Sequence, residues 1–461
     1  MKRVIYFLMI GFVLSFSKLI NAANLTWDAG GASSSSPMQG SGTWTNGVGS
    51  NWSNGSADLI WNNGNNDTAI MGTGGMTGSY NLILGSNIVT GALTVSLPNP
   101  ETSGVYNIVN SGSNIFSLVA PTVTVSNANG INLNVALSGN NGLTKCGIGN
   151  LVLNAAAIYT GNTIINAGNI YVNTVNALPT ASQVTINSNS NRAIALFANQ
   201  TIGSLNGSVT AGEVRARGNT TRTFTINTLS GVTGTYSGGL TQDAGSIMNL
   251  VVDGSGTQAI SGTNSYGGTT VVKGGKLVLN SSLTASSAVT VMGGTLASGG
   301  NVTLGTGDVS MISGTISPGD SNSVATLTIS NNHNFSMLGG TIKMTLGNSS
   351  DLILGSGSGL FNISGGTIDL DFGSGFSYLN TYILMNGFSG GSVSGLTANN
   401  YDMSNWQAQF DANSSPGQLK LTFLSIPEPS YFFLLMGGFA FLLLHYFENQ
   451  RKESNRTPHS G

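Results

Sequence analysis

Two stretches decide the fold: YTGNTIINAGNIYVN at Tyr159–Asn173 and YGGTTVVKGGKLVLN at Tyr266–Asn280, which align without a gap. Each opens on a tyrosine, passes through a β-branched trio (Thr163-Ile164-Ile165 and Thr270-Val271-Val272), breaks at a glycine corner (Gly168; Gly274-Gly275) and resumes as a short strand. Branching at Cβ restricts χ1 and suits a pleated backbone, while glycine accepts the backbone angles of a tight corner. Short strands recurring between corners describe coils. One coil cannot bury its apolar row alone, but stacked coils share an interior.

A later pair gives the stacking register. Gly340–Gly347 (GTIKMTLG) and Gly366–Gly373 (GTIDLDFG) match at an offset of 26 residues. Period-two alternation puts Ile342, Met344 and Leu346 on one face, with Ile368, Leu370 and Phe372 on the matching face. Direct stacking sets Lys343 beside Asp369. Similar corners stand at Gly294-Thr295-Leu296 and Gly314-Thr315-Ile316. The chain has 461 residues, of which 66 are glycine and only 7% charged, a composition too rich in glycine for helices. Net charge is −2 with no basic stripe, which argues against a nucleic-acid partner. The expected fold class is all-β: a right-handed parallel β-helix over 77–425, with parallel strands running from Asn141 to an alternation that ends at Leu419, Leu421 and Phe423. Repeat copies lie near 141–173 and 262–280.

The paired stretches, with Asn141-Gly142-Leu143-Thr144-Lys145 and Gly149-Asn150-Leu151-Val152-Leu153 upstream of the first, resemble the autotransporter-associated β-strand repeat of bacterial surface and passenger proteins. The second copy lacks the Leu-Thr-Lys and carries Gly262-Thr263-Asn264-Ser265 before its tyrosine. The resemblance implies a surface protein on a solenoid. Trp27, Trp44, Trp52 and Trp61 crowd into residues 24–76, and repeat-bearing surface proteins often begin this way. An aromatic cap over an open first coil is the expected role. A platform of flat indoles for sugar rings is the alternative.

Both termini carry export features. Met1-Lys2-Arg3, the apolar Val4–Ser17 and the small pair Ala22-Ala23 form a secretory signal over residues 1–23, handled by the secretion translocon. The mature chain then begins near Ala23 or Asn24. At the other end, 426–461, Pro427-Glu428-Pro429 precedes an apolar run from Tyr431 to Leu444 that reaches seventeen residues with Phe447. A membrane helix needs roughly 17–25. Arg451, Lys452 and Arg456 follow, and basic residues favour the cytoplasmic side. This arrangement resembles the PEP-CTERM sorting signal, which implies an exosortase-like membrane protease as partner and a single C-terminal transmembrane helix, 431–447, as transient anchor. Glu448 and Glu453 dilute the basic tail relative to that family.

Catalytic chemistry has little to work with. Cys146 is the sole cysteine, so no intramolecular disulfide forms. His333 is the one histidine of the exported body, and Cys and His are too few for a metal cluster. Gly305-Thr306-Gly307-Asp308 lacks the repetition of a calcium nonapeptide. Arg215, Arg217 and Arg222, with Glu213, form the basic cluster of the body and read as a solvated strand face. Asp369 and Asp371 share a strand face and could serve glycoside hydrolysis, but a ladder pair with Lys343 explains Asp369 without catalysis. No catalytic residue, metal or cofactor is assigned. The expected function is an exported structural or adhesive surface protein, sorted by an exosortase-type system to the cell surface or an extracellular polysaccharide matrix, with that polysaccharide as a candidate partner. The alternative is a polysaccharide lyase or hydrolase on the same scaffold.

Overall fold

The computed structural model describes residues 22–31, 37–73, 78–96, 104–126, 130–320, 323–330, 332–426, 442–449 and 451. The chain is all-β with long parallel sheets, and forms two compact units, residues 1–296 with 303–307 and residues 297–302 with 308–461.

In the first unit the chain returns again and again to the same columns of strands. One column stacks Asn24–Trp27, Thr68–Met71, Leu93–Val95, Thr122–Val125, Leu143–Cys146, Thr163–Ile165, Gln183–Ile186 and Ser204–Asn206, all parallel. A second column runs from Gly42–Trp44 through Asn150–Leu153, Asn169–Val172, Ile194–Leu196 and Glu213–Ala216 to Gly239–Gln242. A further column takes up Thr221–Thr228, Ile247–Gly254 and Thr270–Val272. Backbone hydrogen bonds run between successive coils, so each coil completes its neighbour. Alternation turns Leu151, Ile170, Ile194 and Val214, register partners in four coils, into one continuous interior row, all fully buried. Each such side chain contributes roughly 1.5–3 kcal/mol on burial.

The corners are as constrained as the rows. Gly147 sits at φ +75° where a Cβ would stand 2.2 Å from Val125 O, and Gly254, its counterpart in the second copy, at φ +87° with a Cβ 2.2 Å from Thr228 O. In both, the corner backbone packs directly on the coil before it.

At the start of the first unit, Trp52–Ser53 and Asp58–Leu59 pair antiparallel on the outer edge of Asn24–Trp27. They cover an edge that would otherwise offer unpaired backbone to another chain. Beneath them the four tryptophans pack ring on ring: Trp27 lies 5.4 Å from Trp52, Trp44 4.6 Å from Trp52, and Trp61 4.9 Å from Trp44. All four are buried, so none offers a face to a sugar ring, which overturns the platform alternative.

In the second unit the 26-residue spacing is the coil. Phe335–Met337 stacks on Leu360–Ile363, and Thr341–Leu346 on Gly366–Phe372, with Lys343 opposite Asp369 in the register expected from sequence. Two expectations fail at the end of this unit. Phe372 is 42% exposed, because the next strand, Leu396–Asn399, pairs only as far as Asp369 and leaves Phe372 uncovered; its ring stacks on Phe376 at 3.9 Å instead. The final alternation, Leu419–Ser425, is also not parallel. It runs antiparallel to Tyr382–Asn386 and to Trp406–Asp411, closing the edge with buried Leu419, Leu421 and Phe423. Tyr378 stacks on Trp406 at 4.9 Å beside Phe423, an aromatic closure that sequence reasoning did not find.

The corners yield a test. Replacing Gly147 or Gly254 by alanine is expected to cost about 2 kcal/mol or more, from left-handed strain and the carbonyl clash together. Gly231, at φ +75° with open space around it, should lose only about 1 kcal/mol from the strain alone. Equal midpoints in chemical unfolding of the three variants would refute the close approach of coils.

Candidate functional site

The repeat is the feature with the most built-in detail, and its two copies fold alike. Leu143 pairs with Thr163 and Lys145 with Ile165 in the first; Leu250 pairs with Thr270 and Val252 with Val272 in the second. The second copy therefore has a counterpart to Leu143-Thr144-Lys145, namely Leu250-Val251-Val252, placed well upstream of the Gly262–Ser265 segment considered from sequence. In each copy the opening tyrosine turns inward. Tyr159 Oη lies 2.5 Å from Thr163 Oγ1, which lies 2.8 Å from Ser182 Oγ. Tyr266 Oη lies 2.6 Å from Thr270 Oγ1, and that 3.1 Å from Ser286 Oγ. These hydroxyls are buried, and burial pushes both phenols above their ordinary range, so they tie coils together as neutral groups. The Tyr-x-x-x-Thr spacing was visible in the aligned stretches, but the serines belong to the next coil and carry no such mark.

Lys145 occupies an inward position and is fully buried. Its Nζ donates to Cys146 O at 2.8 Å, Gly147 O at 2.7 Å and Ala167 O at 3.2 Å, closing the corner from within. Burial pushes the ammonium down to about 8, against the nearby Cys146 that would raise it.

The family model of the passenger-associated-transport repeat matches residues 143–171 and 250–279, the same two segments. The adhesin BmaC autotransporter of Brucella suis biovar 1 (strain 1330) is 36% identical over 167 residues, which cover 35% of this chain. The chain spans about 4% of the length of that curated relative.

The other residues singled out from sequence are dispersed. Arg215 and Arg217 lie side by side but are neutralised: Arg215 bonds Glu213 at 2.6 Å and Asp243 at 3.2 Å, and Arg217 bonds Asp243 at 2.6 Å. Burial works against the Asp243 carboxylate, yet the two guanidiniums, Arg217 foremost, hold it below its ordinary range. Arg217 also lies 5.4 Å over the Phe197 ring. Arg222 stands in another column, on Thr221–Thr228. Lys343 Nζ is 3.7 Å from Asp369 Oδ2, and Asn400 also donates to Asp369, while Asp371 is exposed. That is a ladder pair with an amide neighbour. His333 Nδ1 is 3.5 Å from Asp308 Oδ1, a carboxylate the linear sequence did not place near it. Among the described residues no group of three His, Cys, Asp or Glu side chains could hold a metal ion.

The outer faces carry ladders of amides. Asn132 donates to Asn107 at 2.7 Å, Asn169 to Asn150 at 2.6 Å, Asn173 to Asn154 at 2.9 Å and Asn187 to Asn166 at 2.9 Å. Of the sorting residues, Pro427, Glu428, Pro429, Tyr431, Lys452 and Arg456 lie outside the described residues. Phe447 is exposed within a helix over 442–449, and Arg451 is also exposed. Among the described residues no helix is long and apolar enough to cross a membrane, and most of the expected span, 431–441, falls outside them. Ala22 and Ala23 are exposed.

Lys145 carries a pH signature. With its pKa at about 8 in the folded chain and 10.5 as the ordinary value, the unfolded state binds more protons between these limits. Lys145 therefore contributes stability that grows as pH climbs from about 8 to about 10.5, and the parent should gain on Lys145→Met over that interval, a difference in which the buried phenols common to both cancel. A gap between the urea midpoints of parent and variant that stays constant or narrows over this interval would contradict it.

Proposed function

We propose that the chain is an exported surface protein, a right-handed parallel β-helix that serves as a structural or adhesive scaffold in contact with an extracellular polysaccharide. The observation that carries this reading is the pair of passenger-associated-transport repeats, folded as stacked parallel coils with the same register in both copies. The relative named for adhesion supports it, as does a surface of amide ladders with Arg215 and Arg217 neutralised, which suits a neutral polymer better than an acidic one. On this reading the chain is not an enzyme: the matched repeats are structural units and the relative is named as an adhesin. The Lys343–Asp369 ladder supports the same conclusion against the hydrolase alternative.

Delivery is part of the proposal. The secretory signal hands the chain to the translocon. Pro427-Glu428-Pro429, the apolar run to Phe447 and the tail of Arg451, Lys452 and Arg456 then hold it at the inner membrane until an exosortase-like protease releases it. Pro427 and Pro429 lack a backbone N–H and fix φ, and Glu428 between them supplies the one carboxylate that a protease could recognise.

Mass spectrometry of surface-released protein tests this. Released protein should lack Tyr431 to Gly461, and Glu428→Ala should leave full-length chain in the membrane fraction. For an ordinary anchor, Glu428→Ala would change nothing, whereas Leu435→Arg, at about 2.5–3.5 kcal/mol for a central charge, would weaken insertion. Recovery of tail peptides outside the cell would end the sorting reading. Adhesion itself is read by comparing a deletion strain with its parent for retention in the polysaccharide layer; equal retention would end the scaffold reading.

A further inference from the structure

Asp67 is a buried carboxylate, 3% exposed, and among the described residues its two hydrogen-bond donors are both neutral. Asn65 Nδ2 donates to Oδ2 at 3.2 Å, and the backbone N–H of Ala23 donates to Oδ1 at 2.8 Å. The latter contact spans 44 residues and reaches the second alanine of the small pair Ala22-Ala23, just before the first strand, Asn24–Trp27. Asp67 is fixed from its own side, because its carbonyl accepts from Gly91 N at 2.8 Å and from Thr90 Oγ1 at 2.8 Å. Ala23 is fixed in turn, its carbonyl accepting from Thr68 N at 2.8 Å. A buried carboxylate without a cation is costly, and a charged donor in that position would offset the cost.

Hydrolysis of the Ala22–Ala23 bond supplies such a donor. Water adds across the amide, the carboxylate leaves with Ala22, and Ala23 N becomes an α-ammonium held where its amide already points. Hydrolysis one bond later would remove both the donor to Asp67 and the acceptor for Thr68 N. We propose that Ala22–Ala23 is the processing bond of this chain and that Asp67 is a receptor for the new N terminus, an ion pair that locks the first coil only after the leader is gone. This rests on the export reading. It goes beyond it by selecting one bond and giving Asp67 a role in maturation.

The test uses the full chain exported with its own leader. N-terminal mass spectrometry should recover a peptide beginning Ala23-Asn24-Leu25. A first residue of Asn24 would overturn the lock while leaving export intact, and an intact Met1 would overturn both. In the processed protein, an amine-reactive reagent at neutral pH should label Ala23 about tenfold more slowly than in Asp67→Asn, because a facing carboxylate holds the amine in its protonated, unreactive form. Should Asp67→Asn fail to fold, the comparison is the parent with and without denaturant. Equal labelling rates, in either comparison, would overturn the ion pair.

Discussion

A coil of parallel strands cannot satisfy its own backbone. Every N–H and C=O that points along the stack needs the coil above or below, and the same holds for the apolar row inside. Much else in each unit follows from that dependence. Corners must come close enough for the rows to stay in register, which is why Gly147 and Gly254 press on carbonyls of the preceding coil. The ends cannot be left as they are. The first strand of the first unit is covered by an antiparallel pair above four buried indoles, and the last strands of the second unit turn antiparallel beside a cluster of phenyl, phenol and indole rings. At both of these ends the strand direction reverses.

Polar groups placed inside such a stack have to be answered within it, and the two repeat copies show which answers the geometry demands. The Tyr-Thr-Ser hydroxyl chain is present in both, although its serine comes from a neighbouring coil each time. Lys145 is not kept: Val252 takes its place and is buried. An inward lysine is therefore one solution to a corner whose carbonyls need donors, whereas the hydroxyl chain recurs wherever the repeat does. Asp351 plays a comparable part in the second unit, accepting from Ala325 N at 2.8 Å and Thr345 N at 2.7 Å, with burial pushing its carboxyl above the usual range despite those bonds.

How much of this could be read beforehand depends on whether a feature is local or belongs to the stack. The all-β class, the two repeat copies and the Lys343–Asp369 register were legible, because alternation and a fixed offset are properties of the linear chain. Direction was not. Leu419, Leu421 and Phe423 alternate just as parallel strands do, and nothing in a period of two distinguishes a closing strand from a continuing one. Phe372 was misplaced for a related reason: its burial depends on how far the next strand extends, and Leu396–Asn399 stops short. Asp308 beside His333, Asp67 beside Ala23 and Ser182 beside Thr163 join residues from different strands or coils, and only the fold brings them together.

On the proposed reading, a solenoid surface offers an extended polymer many similar shallow contacts in place of one cleft. Strands repeat about every 4.8 Å along the stack, so any contact a coil makes to an extended polymer is offered again by its neighbours. Weak contacts then add through effective concentration, with no single deep cleft required. The charge distribution fits the same logic: Arg215, Arg217, Glu213 and Asp243 answer one another, and the amide ladders between coils present donors and acceptors without net charge. A hydrolase would need the opposite, one place where two carboxylates face a gap wide enough for a sugar and its water. Asp369 spends its carboxylate on Lys343 and Asn400 instead, in a rung of the ladder that holds two coils side by side.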